Sequence, residues 1–259
     1  MTLPQPDAAF RWSREAWGAA LRCRPLETAT QHLFTSRQLA LPNPDSWRSA
    51  AASVGALPDR LMRVKQVHGN TVRVLRRGEV PEGAAEMRPD GDAIASNHPG
   101  LVLAVMVADC VPILIVDRQH GAAAAVHAGW RGTCARVAPT AVEVMRREFG
   151  TRPDDLLVAI GPSAGPDDYE VGDSLIDAFR AAGHAAGDVE RWFIRSTAKP
   201  HLDLWRANAD QLIAAGVPAD HISTCGLSTV SHADLFDSYR VAGERAGRMA
   251  GLIVVPPPA

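Results

Sequence analysis

Apolar residues in this chain fall in short runs separated by turns rich in Gly, Pro and Asp. The clearest runs are 101–107, 112–117 and 121–127, which are apolar on almost every residue. Runs of that kind form strands buried on both faces. Further strands are expected at 61–67 and 71–76, on either side of a turn at His68, then at 154–161, at 221–229 and in the closing GLIVV. Helical spacing of apolar residues takes over in 129–150, with Gly150 as its stop, and Pro139 is expected to kink that helix or to open a fresh first turn within it. Segment 173–183 reads as a short amphipathic helix capped by Gly183. In 204–216, Leu204, Ala207, Leu212 and Ile213 share one helical face and Gly216 ends it. Segment 238–247 reads as a helix or turn before the final strand. Strands and helices interleave without a regular βαβ rhythm. The expected fold is therefore α/β of the α+β type, with mixed sheets flanked by helices, and not a doubly wound parallel sheet.

No repeat, low-complexity tract or long linker divides the chain, so one domain over residues 1–259 is expected. Its core is expected at about 30–255, with flexible ends at 1–10 and 256–259. At 259 residues and 46% hydrophobic, the chain can bury a large core. Lys and Arg total 27 against 29 Asp and Glu, a net charge of -2 with no dense basic cluster, which argues against a nucleic-acid partner. The N-terminus lacks a basic segment leading into an apolar one, as a secretion signal requires. The longest apolar run, Leu101 to Val116, is broken by Asp109 and Pro112 and is shorter than the ~18 residues of a membrane span. A cytoplasmic protein without a membrane partner is expected. The four cysteines, Cys23, Cys110, Cys134 and Cys225, are widely spaced and form no CxxC pair, so a disulfide framework is not expected. Cys23 and Cys134 read as small buried hydrophobes.

Three residues stand out because each is a metal-ligating type at the edge of an apolar segment: His68 in RVKQVHGNTV, Cys110 in LVLAVMVADCVPILIVD and His127 in AAAAVHAGWRGT. Two imidazoles and a thiolate suit zinc, with copper as the alternative, and three protein ligands leave a fourth position open. The competing reading is two hydrogen-bonded turn histidines and a core cysteine. Asp109, inside the apolar run, must be paired. It either orients a ligand histidine or accepts backbone amides at a strand end. Asp90-Gly91-Asp92 reads as an Asx turn. Arg131 stands where the helix after His127 begins, a favourable place to bind an anion, and Arg37 after LFTS is a second candidate cation. GxSxG, P-loop, GxGxxG and HxE…PCxxC patterns are absent.

Taken together, VKQVHGNTV, DGDAIAS, ADCVPILIVD, VHAGWRGT, IGPSAGPDDYEVG, HLDLWRANADQL and LFDSYR with AGRMAG resemble the YfiH-type family. That family was long labelled multicopper polyphenol oxidase or laccase and is now regarded as purine nucleoside phosphorylases. The resemblance covers about residues 60–255 in order. It implies a fold shared with a bacterial deamidating toxin, and a metal, usually zinc, held by His68, Cys110 and His127. It also implies phosphorolysis of adenosine, inosine, guanosine and S-methyl-5'-thioadenosine, with adenosine deamination beside it. The N-terminal part departs from the family pattern: Phe34-Thr35-Ser36-Arg37 keeps the arginine, GGVS is missing, and Trp47-Arg48 stands where Asn-Arg is expected. Asp167 and Asp168 stand where relatives carry cysteines.

Phosphorolysis needs positive charge for phosphate and a proton donor for the departing base. Arg37, Arg131 and the metal are the expected positive groups; Asp109, Tyr169 and Glu170 are candidate acids by residue type. Nine histidines without a His-x-His pair fit a multicopper cluster poorly, leaving laccase chemistry as a side activity of bound copper. Two rivals stand: a thiol hydrolase built on Cys110 and His127, and a metal site that only staples the strands.

Overall fold

A computed structural model describes residues 3–41, 43–80, 83–195 and 198–259. In chain order the strands are β1 (Phe10–Glu15), β2 (Gly18–Cys23), β3 (His32–Thr35), β4 (Leu61–Arg63), β5 (Val72–Leu75), β6 (Ala93–Ser96) and β7 (Val102–Val107). They continue with β8 (Val111–Asp117), β9 (Ala122–Ala128), β10 (Leu156–Ile160), β11 (Phe193–Ile194), β12 (His201–Leu202), β13 (Ile222–Thr224) and β14 (Met249–Val254). The α-helices are α1 (Arg24–Glu27), α2 (Pro44–Ser53), α3 (Trp130–Cys134), α4 (Val137–Phe149), α5 (Asp173–Ala181), α6 (Ala186–Trp192), α7 (Leu204–Ala214) and α8 (Tyr239–Ala242).

Two six-stranded mixed sheets stack face to face. The first runs β1-β2-β3-β14-β7-β4 and the second β13-β10-β8-β9-β6-β5. Most neighbours are antiparallel; β4 lies parallel to β7, β5 to β6 and β13 to β10. The apolar runs read from the sequence are the centre of this stack, and strand alternation sorts their side chains. Leu114, Val116, Ala123 and Ala125 meet Leu103, Val105 and Ile253 between the sheets. Ile113, Ile115, Ala124 and Val126 face the other way, onto Val137, Ala141 and Met145 of α4 and Ala207 and Leu212 of α7. The outer face of the first sheet is covered by Trp47, Ala50 and Val54 of the α2 segment. Small residues bring the sheets together: a Cβ on Gly161 would collide with the Phe34 ring.

The mixed α/β expectation holds, and the differences are local. Segments 61–67 and 71–76 do not pair with each other. β4 belongs to one sheet and β5 to the other, so the His68 turn crosses between sheets. The helix expected over 129–150 is two, broken at Arg136 (φ +59°), and Pro139 falls in the first turn of α4, where its missing N–H has no helical partner to lose. Strand 221–229 shortens to β13. The core begins earlier than residue 30: β1 and β2 pair as a hairpin, with Phe10, Leu21 and Cys23 buried. At the other end, the Ala259 N–H donates to the Gln119 carbonyl at 3.2 Å. Among the described residues, no helix is long and apolar enough to cross a membrane.

Candidate metal centre and its cleft

Two crossovers between the sheets and the end of one strand converge here. His68 sits in the β4–β5 crossing, Cys110 in the β7–β8 crossing, and His127 on β9, in register with Pro112 of β8. His127 shares the strand parity of Ala123 and Ala125, which face the inter-sheet layer. The potential ligand atoms of His68, Cys110 and His127 lie within 4.8 Å of one another. The two imidazoles stand edge to face, 4.9 Å between centroids. Among the described residues this is the single such cluster of three or more His, Cys, Asp or Glu side chains. Gly129 closes the back of it: an added Cβ would lie 2.7 Å from Cys110 Sγ.

The orienting carboxylate is Asp92, whose Asp-Gly-Asp sequence reads as an ordinary Asx turn but whose role is larger. It is fully buried. Its Oδ1 accepts from His68 N at 2.8 Å and from His127 Nδ1 at 2.9 Å; Oδ2 accepts from Gly69 N at 2.6 Å and Val67 N at 3.3 Å. A carboxylate can only accept, so His127 carries its proton on Nδ1 and presents Nε2 to the cluster. The same group holds His68 in left-handed backbone (φ +62°), a strained conformation that three amide donors secure. One buried carboxylate thus fixes two of the three candidate ligands, the usual second layer of a metal site.

Asp109 takes the other of its two readings. It is buried, with φ +83°, and accepts from Thr229 Oγ1 at 2.6 Å and from the Arg240 backbone N–H at 2.7 Å. It therefore ties the β7–β8 turn to the start of α8 and positions Tyr239 and Arg240.

Electrostatics at the cluster are strongly coupled. Burial by itself would raise the Cys110 thiol, but hydrogen bonds and charge from His127 and His68 outweigh it and lower the pKa to about 6. Burial would likewise lower His127, yet Asp92 and Cys110 raise it to about 9. For Asp92 too, burial is overcome by His127 and the backbone donors, which hold its carboxyl below the usual range. The other cysteines are inert by comparison: burial pushes Cys23 up to about 11 and Cys225 up to about 12, and it also raises Cys134.

A cleft of about 890 Å³ opens over the cluster, within the size range of small-molecule sites. Lys65, Arg131, Arg240 and Arg248 line it against a single carboxylate, Asp109. Arg131 lies over the Trp130 ring and Arg240 over the Tyr169 ring, each 4.3 Å from the centroid. Among the described residues none of the three arginines has a carboxylate partner, so the cleft carries an excess of positive charge. α7 braces α3 beneath Arg131: Asn208 Nδ2 and Gln211 Nε2 donate to Thr133 Oγ1 and O, each at 3.0 Å. Tyr169 lines the cleft and burial raises its phenol further. Glu170 instead pairs with Lys199 at 2.8 Å and lines a smaller neighbouring pocket. Arg37 does not line the cleft. Its guanidinium donates to the Ala233 carbonyl and lies 4.0 Å from Asp237. Arg240 of the LFDSYR segment and Arg248 of AGRMAG, to which the sequence pattern assigns no role, take the place expected of Arg37. A slightly larger cleft of about 920 Å³ lies elsewhere and contains none of the candidate ligands.

The family described as "Multi-copper polyphenol oxidoreductase laccase" matches residues 45–256. A purine nucleoside phosphorylase of Bacteroides thetaiotaomicron is 41% identical over 172 residues, 66% of this chain and 63% of that protein. Adenosine deaminase RL5 of an unknown prokaryotic organism is 37% identical, over 79% of this chain and 78% of that protein. The crystal structure of a Bacillus licheniformis hypothetical protein, YfiH, superposes with a TM-score of 0.84, covering 96% of this chain and 99% of that one at 24% identity.

Proposed function

The chain belongs to the YfiH-type family described as multi-copper polyphenol oxidoreductase laccase, and from that membership we propose that it is a metal-dependent purine nucleoside phosphorylase that also deaminates adenosine. The observation that carries the reading is the cleft itself, in which a two-imidazole, one-thiolate cluster shares one space with three arginines that have no carboxylate partner among the described residues. The substrates are adenosine, inosine, guanosine and S-methyl-5'-thioadenosine, with phosphate as second reactant. The free cysteines suit a reducing cytoplasm.

The donor set fits a zinc ion held by His68, Cys110 and His127, with copper as the alternative. When bound, zinc supplies a Lewis acid that polarises a ligand oxygen and acidifies water. The chain's own residues do the rest. Arg131, Arg240 and Arg248 hold phosphate and set its oxygen against the anomeric carbon. As the phosphate oxygen bonds to that carbon, the glycosidic C–N bond breaks and its electron pair passes to the purine. The Tyr169 hydroxyl, kept protonated by burial, gives a proton to the departing base. Asp92 and Asp109 touch neither reactant. They hold His127, His68 and the Arg240 segment in place.

The low Cys110 pKa and high His127 pKa also describe a thiolate–imidazolium pair, which keeps the thiol-hydrolase reading alive for metal-free protein. Assay of the nucleoside panel with and without phosphate separates the two. Phosphate-dependent release of free base supports the phosphorylase; base release indifferent to phosphate, or no turnover of any nucleoside, overturns it.

A further inference from the structure

The second cleft lies at the open edge of the first sheet, beside β4, about as large as the metal cleft and sharing no residue with it. Its walls come from α2, the turn 58–60, β4 and the turn 84–86. Three residues that line it carry a buried polar atom with no hydrogen-bond partner among the described residues: Trp47 Nε1, Arg63 Nε and His98 Nδ1. Trp47 is only 4% exposed. Buried donors are nearly always paired, so the two orphaned donors, Trp47 Nε1 and Arg63 Nε, mark a place where an acceptor is missing.

Charge points the same way. Arg48, Arg60, Arg63 and Arg88 line the cleft, against Asp59 and Glu86. Arg48 is paired with Asp45. Among the described residues Arg60, Arg63 and Arg88 have no carboxylate partner. Arg63 lies over the Trp47 ring at 4.2 Å, which fixes its guanidinium in the wall. Arg88 is exposed, and among the described residues its guanidinium donates only to the carbonyls of Ala85 and Met87. Several guanidinium forks lining one cleft suit an anion with several oxygens rather than a lone carboxylate. The apolar walls given by Met62 and Leu101 leave room for an organic body.

We propose that this cleft is a second ligand site that binds a small organic phosphate, with its phosphoryl oxygens on Arg63 and Arg60 and its body against Met62 and Leu101; Trp47, stacked under the Arg63 guanidinium, senses the occupant. The site is independent of the catalytic reading. It adjoins the metal cleft along the chain: Arg63 lines one and Val64 the other.

The test uses the full chain labelled with nitrogen-15 and follows the indole N–H resonances, with Trp47 assigned by its loss in Trp47→Phe. Trp130 reports on the metal cleft in the same spectra. Adenosine 5'-monophosphate, adenosine and inorganic phosphate are the probes, each taken to millimolar concentration. The expected result is a saturable shift of the Trp47 resonance with the monophosphate, none with adenosine, and a weaker response to inorganic phosphate. Arg63→Gln and the exposed Arg60→Gln should each raise the apparent Kd about tenfold or more, the loss of one charge-assisted hydrogen bond. A Trp47 resonance that no probe moves overturns the proposal, as does an equal response to adenosine. Tighter binding of inorganic phosphate than of the monophosphate overturns the assignment to an organic phosphate.

Discussion

Replacing Asp92 by Asn changes one atom and removes one charge, yet it should disable the metal cluster. Four donors converge on the carboxylate: His68 N and His127 Nδ1 on Oδ1, Gly69 N and Val67 N on Oδ2. An amide has one accepting end, so either rotamer sets an NH₂ group against two of them. With nitrogen at the Oδ2 position, Gly69 and Val67 lose their acceptor and the turn that carries His68 loosens. With nitrogen at the Oδ1 position, His127 must accept at Nδ1, which moves its proton to Nε2 and blocks the ligating atom. Each donor left unsatisfied costs up to about 1–3 kcal/mol, and less at exposed Val67 than at buried His127. Loss of a supporting carboxylate of this kind weakens metal binding about 10–100-fold. The assay is zinc titration of metal-free protein against a competing chelator, with thermal melts run in parallel. Asp90→Asn is the control: Asp90 is exposed and meets Lys65 at 3.5 Å, worth about 0–1 kcal/mol. Zinc affinity in Asp92→Asn within twofold of the parent would refute the assignment of Asp92 as the group that orients the ligands.

Other outcomes follow from the same geometry. In metal-free protein, Cys110 should react with iodoacetamide in preference to the other three cysteines, its rate rising with pH through a midpoint near 6 because the two histidines stabilise the thiolate; a midpoint near the ordinary cysteine value would contradict that coupling. Gly129→Ala should abolish metal binding while leaving the far-ultraviolet circular dichroism intact, since its Cβ would sit 2.7 Å from Cys110 Sγ and its backbone (φ -73°) accepts any residue; unchanged zinc content would show that the cluster can shift. Arg240→Gln and Arg131→Gln should raise KM for phosphate about tenfold or more with little change in KM for the nucleoside, because each removes a charge-assisted hydrogen bond to phosphate alone. Tyr169→Phe should lower kcat by about 10²–10⁴-fold with stability nearly unchanged, the range of a missing proton donor; full activity would remove Tyr169 from the proton path.

Whether a residue's role is legible in the sequence depends on how local that role is. His68, Cys110 and His127 stand out because an ionisable or soft ligand inside apolar sequence has to be explained wherever the chain goes. The central strands are equally plain, since β8 and β9 are buried on both faces and carry no polar alternation to confuse the pattern. Asp92 is hidden because Asp-Gly-Asp has the composition of a turn. Only the pairing of β6 with β9 brings it against His127, 35 residues away. Arg37 and Arg240 show the same limit for charge: a cation's partners are set by tertiary contacts, and Arg37 turns to Ala233 and Asp237. The helix break at Arg136 is a left-handed residue with no glycine to announce it.

Phosphorolysis in this cleft should require one metal ion, held by His68, Cys110 and His127. The decisive measurement is the rate of phosphate-dependent adenine release from adenosine as zinc is titrated into metal-free protein. The rate should climb from near zero and break at one equivalent per chain, with no such rise in His127→Ala. Full activity before any metal is added, or a break only after several equivalents, would be incompatible with a single required ion.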